Sequence, residues 1–121
     1  MNWTIRNGTV LGTERLKHTD LFVEGGMLSD RGNGGREIDA AGLLVLPGIV
    51  DIHGDGFERQ IMPRPGVRFD VGLALRDTDR QLVTNGITTA FHGVTVSWEP
   101  GLRSLQAAAD FVTALAAARP H

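Results

Sequence analysis

The stretch Leu43-Leu44-Val45-Leu46-Pro47-Gly48-Ile49-Val50-Asp51-Ile52-His53-Gly54-Asp55 is an apolar run, broken once by Pro-Gly and closed by an imidazole and a carboxylate. A near-continuous apolar run of this kind is what a parallel strand buried on both faces looks like. Residues i and i+2 on a strand point to one face, roughly 6 to 7 Å apart along the backbone. Ligands placed as His53 and Asp55 are can converge on one ion, and Gly54 keeps the opposite face small. Nitrogen and oxygen donors hold zinc at about 2.0 to 2.2 Å. On spacing alone, a turn histidine beside a loop carboxylate is the commoner origin of a His-x-Asp pattern, so both readings stand at this point.

Upstream, residues 1–43 read as short strands with few large side chains. Trp3 and Ile5 alternate with polar neighbours, and Asn7-Gly8 predicts a hairpin turn because both residues tolerate positive φ. Leu21-Phe22-Val23-Glu24 is a second run, which Gly25-Gly26 turns into Met27-Leu28, and Glu37-Ile38-Asp39 is a third. Small strands of this type need a partner sheet, so 1–43 is expected to be part of a β-sandwich.

Downstream, a loop is expected from Gly54 to about Phe69, where Pro63 and Pro65 exclude helix. Asp70 is a good N-cap for a helix carrying Val71, Ala74, Leu75, Thr78 and Leu82 at helical spacing, with Gly86 as its left-handed stop. Ile87 to about Val96 reads as a second strand. Pro100 to Ala118 reads as a second helix with Leu105, Ala108, Ala109, Val112, Leu115 and Ala116 on its apolar face. Strand, helix, strand, helix means βαβ units on a parallel sheet. The expected fold is α/β: residues 44–121 begin a (β/α)8 barrel of the TIM type. Such a barrel takes roughly 250 residues, so the chain is expected to be truncated after two β/α units.

Composition narrows the chemistry. The 121 residues carry 12 Lys and Arg against 14 Asp and Glu, so no basic field exists to hold nucleic acid. No apolar run approaches the roughly 20 residues of a membrane span, and Met-Asn-Trp-Thr-Ile-Arg lacks the layout of a secretion signal. The expected location is cytoplasmic. With no cysteine, thiolate metal sites and disulfide frameworks are excluded.

From Ile38-Asp39-Ala40-Ala41-Gly42 through His53, the chain resembles the signature of the amidohydrolase superfamily. That signature runs acidic residue, Gly, apolar stretch, Pro-Gly, apolar pair, Asp, one apolar residue, then the first metal-binding His. Leu21 to Leu28 looks like the hairpin these proteins carry ahead of it, and the resemblance covers nearly all of the chain. The usual pattern is His-x-His, whereas Asp55 takes the second place here. With Gly56-Phe57-Glu58-Arg59, Met62-Pro63-Arg64-Pro65-Gly66-Val67, Asp77 and Asn85-Gly86-Ile87-Thr88-Thr89, this departure resembles the PhnM-type diphosphatases of the phosphonate-degrading carbon–phosphorus lyase pathway. Their substrate is α-D-ribose 1-methylphosphonate 5-triphosphate, cleaved to the 5-phosphate and pyrophosphate.

The resemblance implies that His53 and Asp55 ligate a divalent metal, with zinc first and manganese or magnesium open because an oxygen donor replaces an imidazole. Arg64, and less directly Arg59, would bind the phosphates of a small phosphorylated sugar, since guanidinium groups grip phosphate oxygens in two-pronged fashion. Both also read as solvated loop arginines. No catalytic residue is assigned. Glu58 is read as exposed, Asp51 as a carboxylate on the ligands' face and two residues deeper, and His92 as a strand residue that would reach the site if its face points inward. His18 (in a turn) and His121 are given no role, and Trp3 and Trp98 are read as packing residues.

Two ligands hold a metal poorly, so the remaining ligands would come from later strands. Uncovered helix faces would call for the missing C-terminal portion, a partner chain or a homo-oligomer. Two alternatives stand beside the diphosphatase: an amidohydrolase acting on C–N bonds, of deacetylase or cyclic-amidase type, and a non-catalytic interaction remnant of such an enzyme.

Overall fold

The computed structural model describes residues 1–32 and 34–118. It divides into two compact units, Met1–Pro47 and Gly48–His121. His121 lies outside the described residues.

The first unit is one five-stranded sheet. β1 (Trp3–Leu11) pairs antiparallel with β2 (Leu16–Glu24), which turns through Gly25-Gly26 into β3 (Met27–Ser29). β4 (Arg36–Asp39) and β5 (Leu44–Val45) lie parallel to successive stretches of β1. The second sheet of a sandwich is not among the described residues. His18 pairs with Thr9 inside β2 rather than sitting in a turn.

The hairpin expected at Asn7-Gly8 is elsewhere, in residues 12–15, where the Gly12 N–H donates to the Arg15 carbonyl at 3.0 Å. Asn7 does adopt a positive φ of 60°, but within β1. The pairing steps from Ile5↔Leu21 to Gly8↔Thr19, so Arg6 and Asn7 oppose Asp20 alone in a β-bulge. The conformation that makes Asn-Gly a turn signal serves the bulge here because side chains pin it. The Asn7 backbone N–H donates to Asp20 Oδ1, and its Nδ2 donates to Asp39 Oδ1, each at 3.0 Å.

The apolar run quoted at the outset is shared between the units. Leu44-Val45 completes the first sheet, so the division falls after Pro47 and not at residue 43. β6 (Ile49–Gly54) opens the second unit and pairs parallel with β7 (Ile87–His92). Burial on both faces is not found: Ile49, Val50 and Ile52 are exposed, because two strands cannot cover each other's faces.

Between these strands come α1 (Gly56–Ile61) and α2 (Val71–Thr84), and after them α3 (Leu105–Ala118). α1 lies within the expected loop, its Phe57 and Ile61 one turn apart and both buried. On α2, Ala74, Leu75 and Thr78 are buried as the spacing predicts, the Leu73 N–H donates to Asp70 Oδ1 at 2.9 Å, and Gly86 follows with φ 77°. β7 stops at His92, short of Val96.

α3 begins at Leu105 rather than Pro100, since the Ser104 hydroxyl oxygen caps it by accepting the Ala107 N–H at 3.1 Å. Its expected apolar face is mostly wrong. Phe111 is the buried residue, flanked by the half-buried Ala114 and Leu115, while Leu105 and Val112 are 76% and 60% exposed. An alanine-rich helix is apolar on nearly every side, so the largest side chain sets the phase. The core is Phe57, Ile61, Ala74, Leu75 and Phe111.

Trp98 is 92% exposed and packs against little. Trp3 is half-buried, with the Arg36 guanidinium 5.5 Å from its ring centre. Among the described residues no helix is long and apolar enough to cross a membrane.

Candidate metal centre

His53 stands one residue from the C-terminal end of β6. In βα architectures this end of a parallel strand is where sites assemble. Its backbone N–H donates to Asp51 Oδ1 at 3.0 Å. Pairing steps from Asp51↔Ala90 to Gly54↔His92, three residues on β6 against two on β7. That irregularity interrupts the alternation on which the placement of Asp51 on His53's face depended. Beyond it, the Gly93 N–H donates to the Gly54 carbonyl at 2.9 Å, tying the two strand ends together.

Asp55 is not a strand residue. It is the N-cap of α1, with φ −115° and ψ 2°, and its side chain makes no capping hydrogen bond. The same-face argument from strand geometry therefore stops at Gly54. Asp55 lines a groove of about 360 Å³ with Gly56, Glu58, Arg59, Gln60 and Gln81. Arg59, expected to meet phosphate, shares a groove with Asp55, at the last turn of α1. Glu58, expected to be exposed, is half-buried and reaches Arg103 at 3.5 Å.

Arg64 opens a tight turn: the Val67 N–H donates to the Arg64 carbonyl at 3.1 Å, with Pro65 and Gly66 between. Proline at the second position and a φ of 80° at Gly66 fit a type II turn. The prolines thus hold an exposed Arg64 at a fixed corner.

His92 does not join His53. Its ring stands edge-on to Phe57 and Phe111, with centroids 5.4 and 5.5 Å away, so it faces the helices. Its Nδ1 is buried without a hydrogen-bond partner.

The His53 imidazole and the Asp55 carboxylate have no hydrogen-bond or ion-pair partner among the described residues, which leaves both free to donate to a cation. They fit a metal site as contributors only. No group of three or more His, Asp or Glu able to hold an ion occurs among the described residues. The displaced pKa values belong instead to the first unit. Glu37 is lowered by its hydrogen bond and attraction to Arg6, Arg6 is raised in return, and Asp39 is lowered by hydrogen bonds from Asn7 and Ala41. Sequence reasoning missed Gly93, whose nearness to His53 depends on strand register that no local pattern reveals.

The fold resembles part of the fold of solved hydrolase structures. The chain superposes on a triazine hydrolase from Arthobacter aurescens with a TM-score of 0.65 at 18% identity, covering 96% of this chain and 33% of that one. A crystal structure of an amidohydrolase gives 0.59 at 21%, covering 81% and 27%. No protein-family model matches the chain.

By sequence, the chain is 39% identical over 100 residues to a D-phenylhydantoinase of Escherichia coli, covering 74% of this chain and 19% of that protein. It is 43% identical over 56 residues to a dihydroorotase of Lactobacillus acidophilus, covering 44% and 13%. The α-D-ribose 1-methylphosphonate 5-triphosphate diphosphatase of Escherichia coli is 32% identical over 59 residues, covering 49% and 16%. Together these likenesses support a place in the amidohydrolase superfamily. The chain spans between 13% and 19% of the length of these curated relatives.

Proposed function

We propose that this chain is the N-terminal part of a metal-dependent hydrolase, a diphosphatase that cleaves α-D-ribose 1-methylphosphonate 5-triphosphate with water to the 5-phosphate and pyrophosphate. The observation that carries the reading is the free imidazole of His53 near the end of a parallel strand, followed two residues on by the free carboxylate of Asp55, where the usual pattern has a second histidine. When bound, a divalent cation such as zinc lowers the pKa of a coordinated water toward about 7 and polarises a phosphoryl oxygen. His53 and Asp55 would supply two of its ligands, and the rest would come from later strands. Arg64, fixed at its turn, and Arg59, beside Asp55, would meet the phosphate charge.

A second reading is hydrolysis of a cyclic amide. The longer similarity to the D-phenylhydantoinase favours it, since that match covers 74% of this chain. The complete enzyme, loaded with zinc, separates the two. Pyrophosphate release from the ribose triphosphate, lost on His53→Ala, is the expected result. Ring opening of dihydroorotate or a hydantoin, without pyrophosphate release, would replace the first reading by the second.

A further inference from the structure

A free imidazole on a strand end binds a cation well only if it is already aimed, because every rotamer frozen on binding costs free energy. Two contacts restrict His53. On the backbone side, the Asp51 carboxylate bends along its own strand and accepts the His53 N–H at 3.0 Å. The same carboxylate crowds the next residue, since a Cβ built on Gly54 would lie 3.0 Å from Asp51 Oδ2. On the ring side, a Cβ built on Gly93 would lie 3.3 Å from His53 Nε2 and 3.4 Å from Cδ2. The imidazole therefore lies across Gly93, at the end of the neighbouring strand. The Gly93 N–H, bonded to the Gly54 carbonyl at 2.9 Å, keeps that floor in register with β6.

We propose that Asp51 and Gly93 are positioning residues that cradle His53, the carboxylate fixing its backbone and the glycine leaving the space in which its ring lies. The inference rests on the reading of His53 as a metal ligand. Gly93 is not among the glycines with positive φ, so alanine there strains no backbone. It only pushes the ring aside by a few tenths of an ångström. Asp51→Asn keeps a side-chain oxygen that can accept the N–H, whereas Asp51→Ala does not.

The test uses the complete enzyme. Zinc affinity is measured by chelator competition, His53 amide exchange by NMR without metal, and melting temperature as a control on folding. Gly93→Ala is expected to weaken zinc binding by about 10- to 100-fold, the range for partners that orient a ligand, with an unchanged melting temperature. Asp51→Ala is expected to speed exchange of the His53 amide and weaken zinc binding, and Asp51→Asn to restore both.

Unchanged zinc affinity in Gly93→Ala, alongside its loss in His53→Ala, would overturn the cradle and leave the ligand reading standing. Unchanged affinity in His53→Ala would overturn that reading itself. Slow exchange of the His53 amide in Asp51→Ala would remove the carboxylate's part, whatever the affinities.

Discussion

Asn7 Nδ2 donates to Asp39 Oδ1 at 3.0 Å, joining the bulge of β1 to the end of the parallel strand β4. The bond explains why an asparagine is tolerated at a φ of 60° in mid-strand: its side chain offsets the steric cost of the left-handed conformation. Asn7→Val keeps that cost, adds β-branching and removes the bond. It is expected to destabilise the first unit by about 1–2 kcal/mol. Asn7→Gly, which removes the steric cost along with the bond, should lose less. Urea denaturation of both variants followed by tryptophan fluorescence checks the order.

Acid should weaken the same sheet. The pKa values of Glu37 and Asp39 are lowered from 4.5 and 3.8 by Arg6 and by Asn7 respectively. A carboxylate with a lowered folded pKa contributes stability that is fully present above its ordinary value and is lost as pH falls through the folded one. The urea midpoint is therefore expected to hold near neutrality and decline below about pH 4.5. Glu37→Gln should flatten part of that decline. Because the Arg6–Glu37 pair is exposed, molar salt should flatten it as well. A midpoint independent of pH between 3 and 6 would contradict both assignments.

The phase of α3 is open to a paired substitution. Phe111→Ala removes the side chain packed on Phe57, whose ring centre is 4.3 Å away, and is expected to cost about 3–5 kcal/mol. Val112→Ala, on the exposed side, should stay within about 0.5 kcal/mol. Similar losses from both would mean that the helix is rotated from the position described.

At the start of α2, Asp70→Ala removes the acceptor for the Leu73 N–H. The expected loss is about 1 kcal/mol, with Asp70→Ser recovering most of it. Thermal melts followed by circular dichroism report both.

In the complete enzyme, Arg64→Ala is expected to raise KM for a triphosphate substrate about tenfold or more, the scale of one hydrogen bond to a charged group. Arg64→Lys should recover only part of it, since an ammonium lacks the planar two-pronged grip. Steady-state kinetics with the triphosphate and with inorganic phosphate as competitor would show it. An unaltered KM would return Arg64 to the solvated surface.

The sequence made α2 legible from cap to stop. Asp70, the spacing of Val71 to Leu82 and Gly86 all act within a few residues of one another, so local chemistry determines them. The alternation of strands and helices was legible for the same reason. Features set by distant partners were not. Asn7-Gly8 became a bulge because Asp20 and Asp39 bond to it, and α3 took its phase from Phe57 and His92. At the site, His53 was correctly placed near the strand's end. The strand ends one residue before Asp55, and Asp55 with Glu58 three residues on has the spacing of a helix start, a local signal outweighed in the sequence by the loop that Pro63 and Pro65 suggest.

The short parallel pair of β6 and β7 has a consequence for handling the molecule. Among the described residues each strand pairs with one neighbour only, so one flank of each has no strand partner. Ile52 and Phe91 stand 79% and 60% exposed on these strands. Unpaired flanks carrying greasy side chains are templates for adding further strands. Concentrated preparations should thicken into fibrillar deposits sooner than dilute ones, and a lysine in place of Ile52 should delay them.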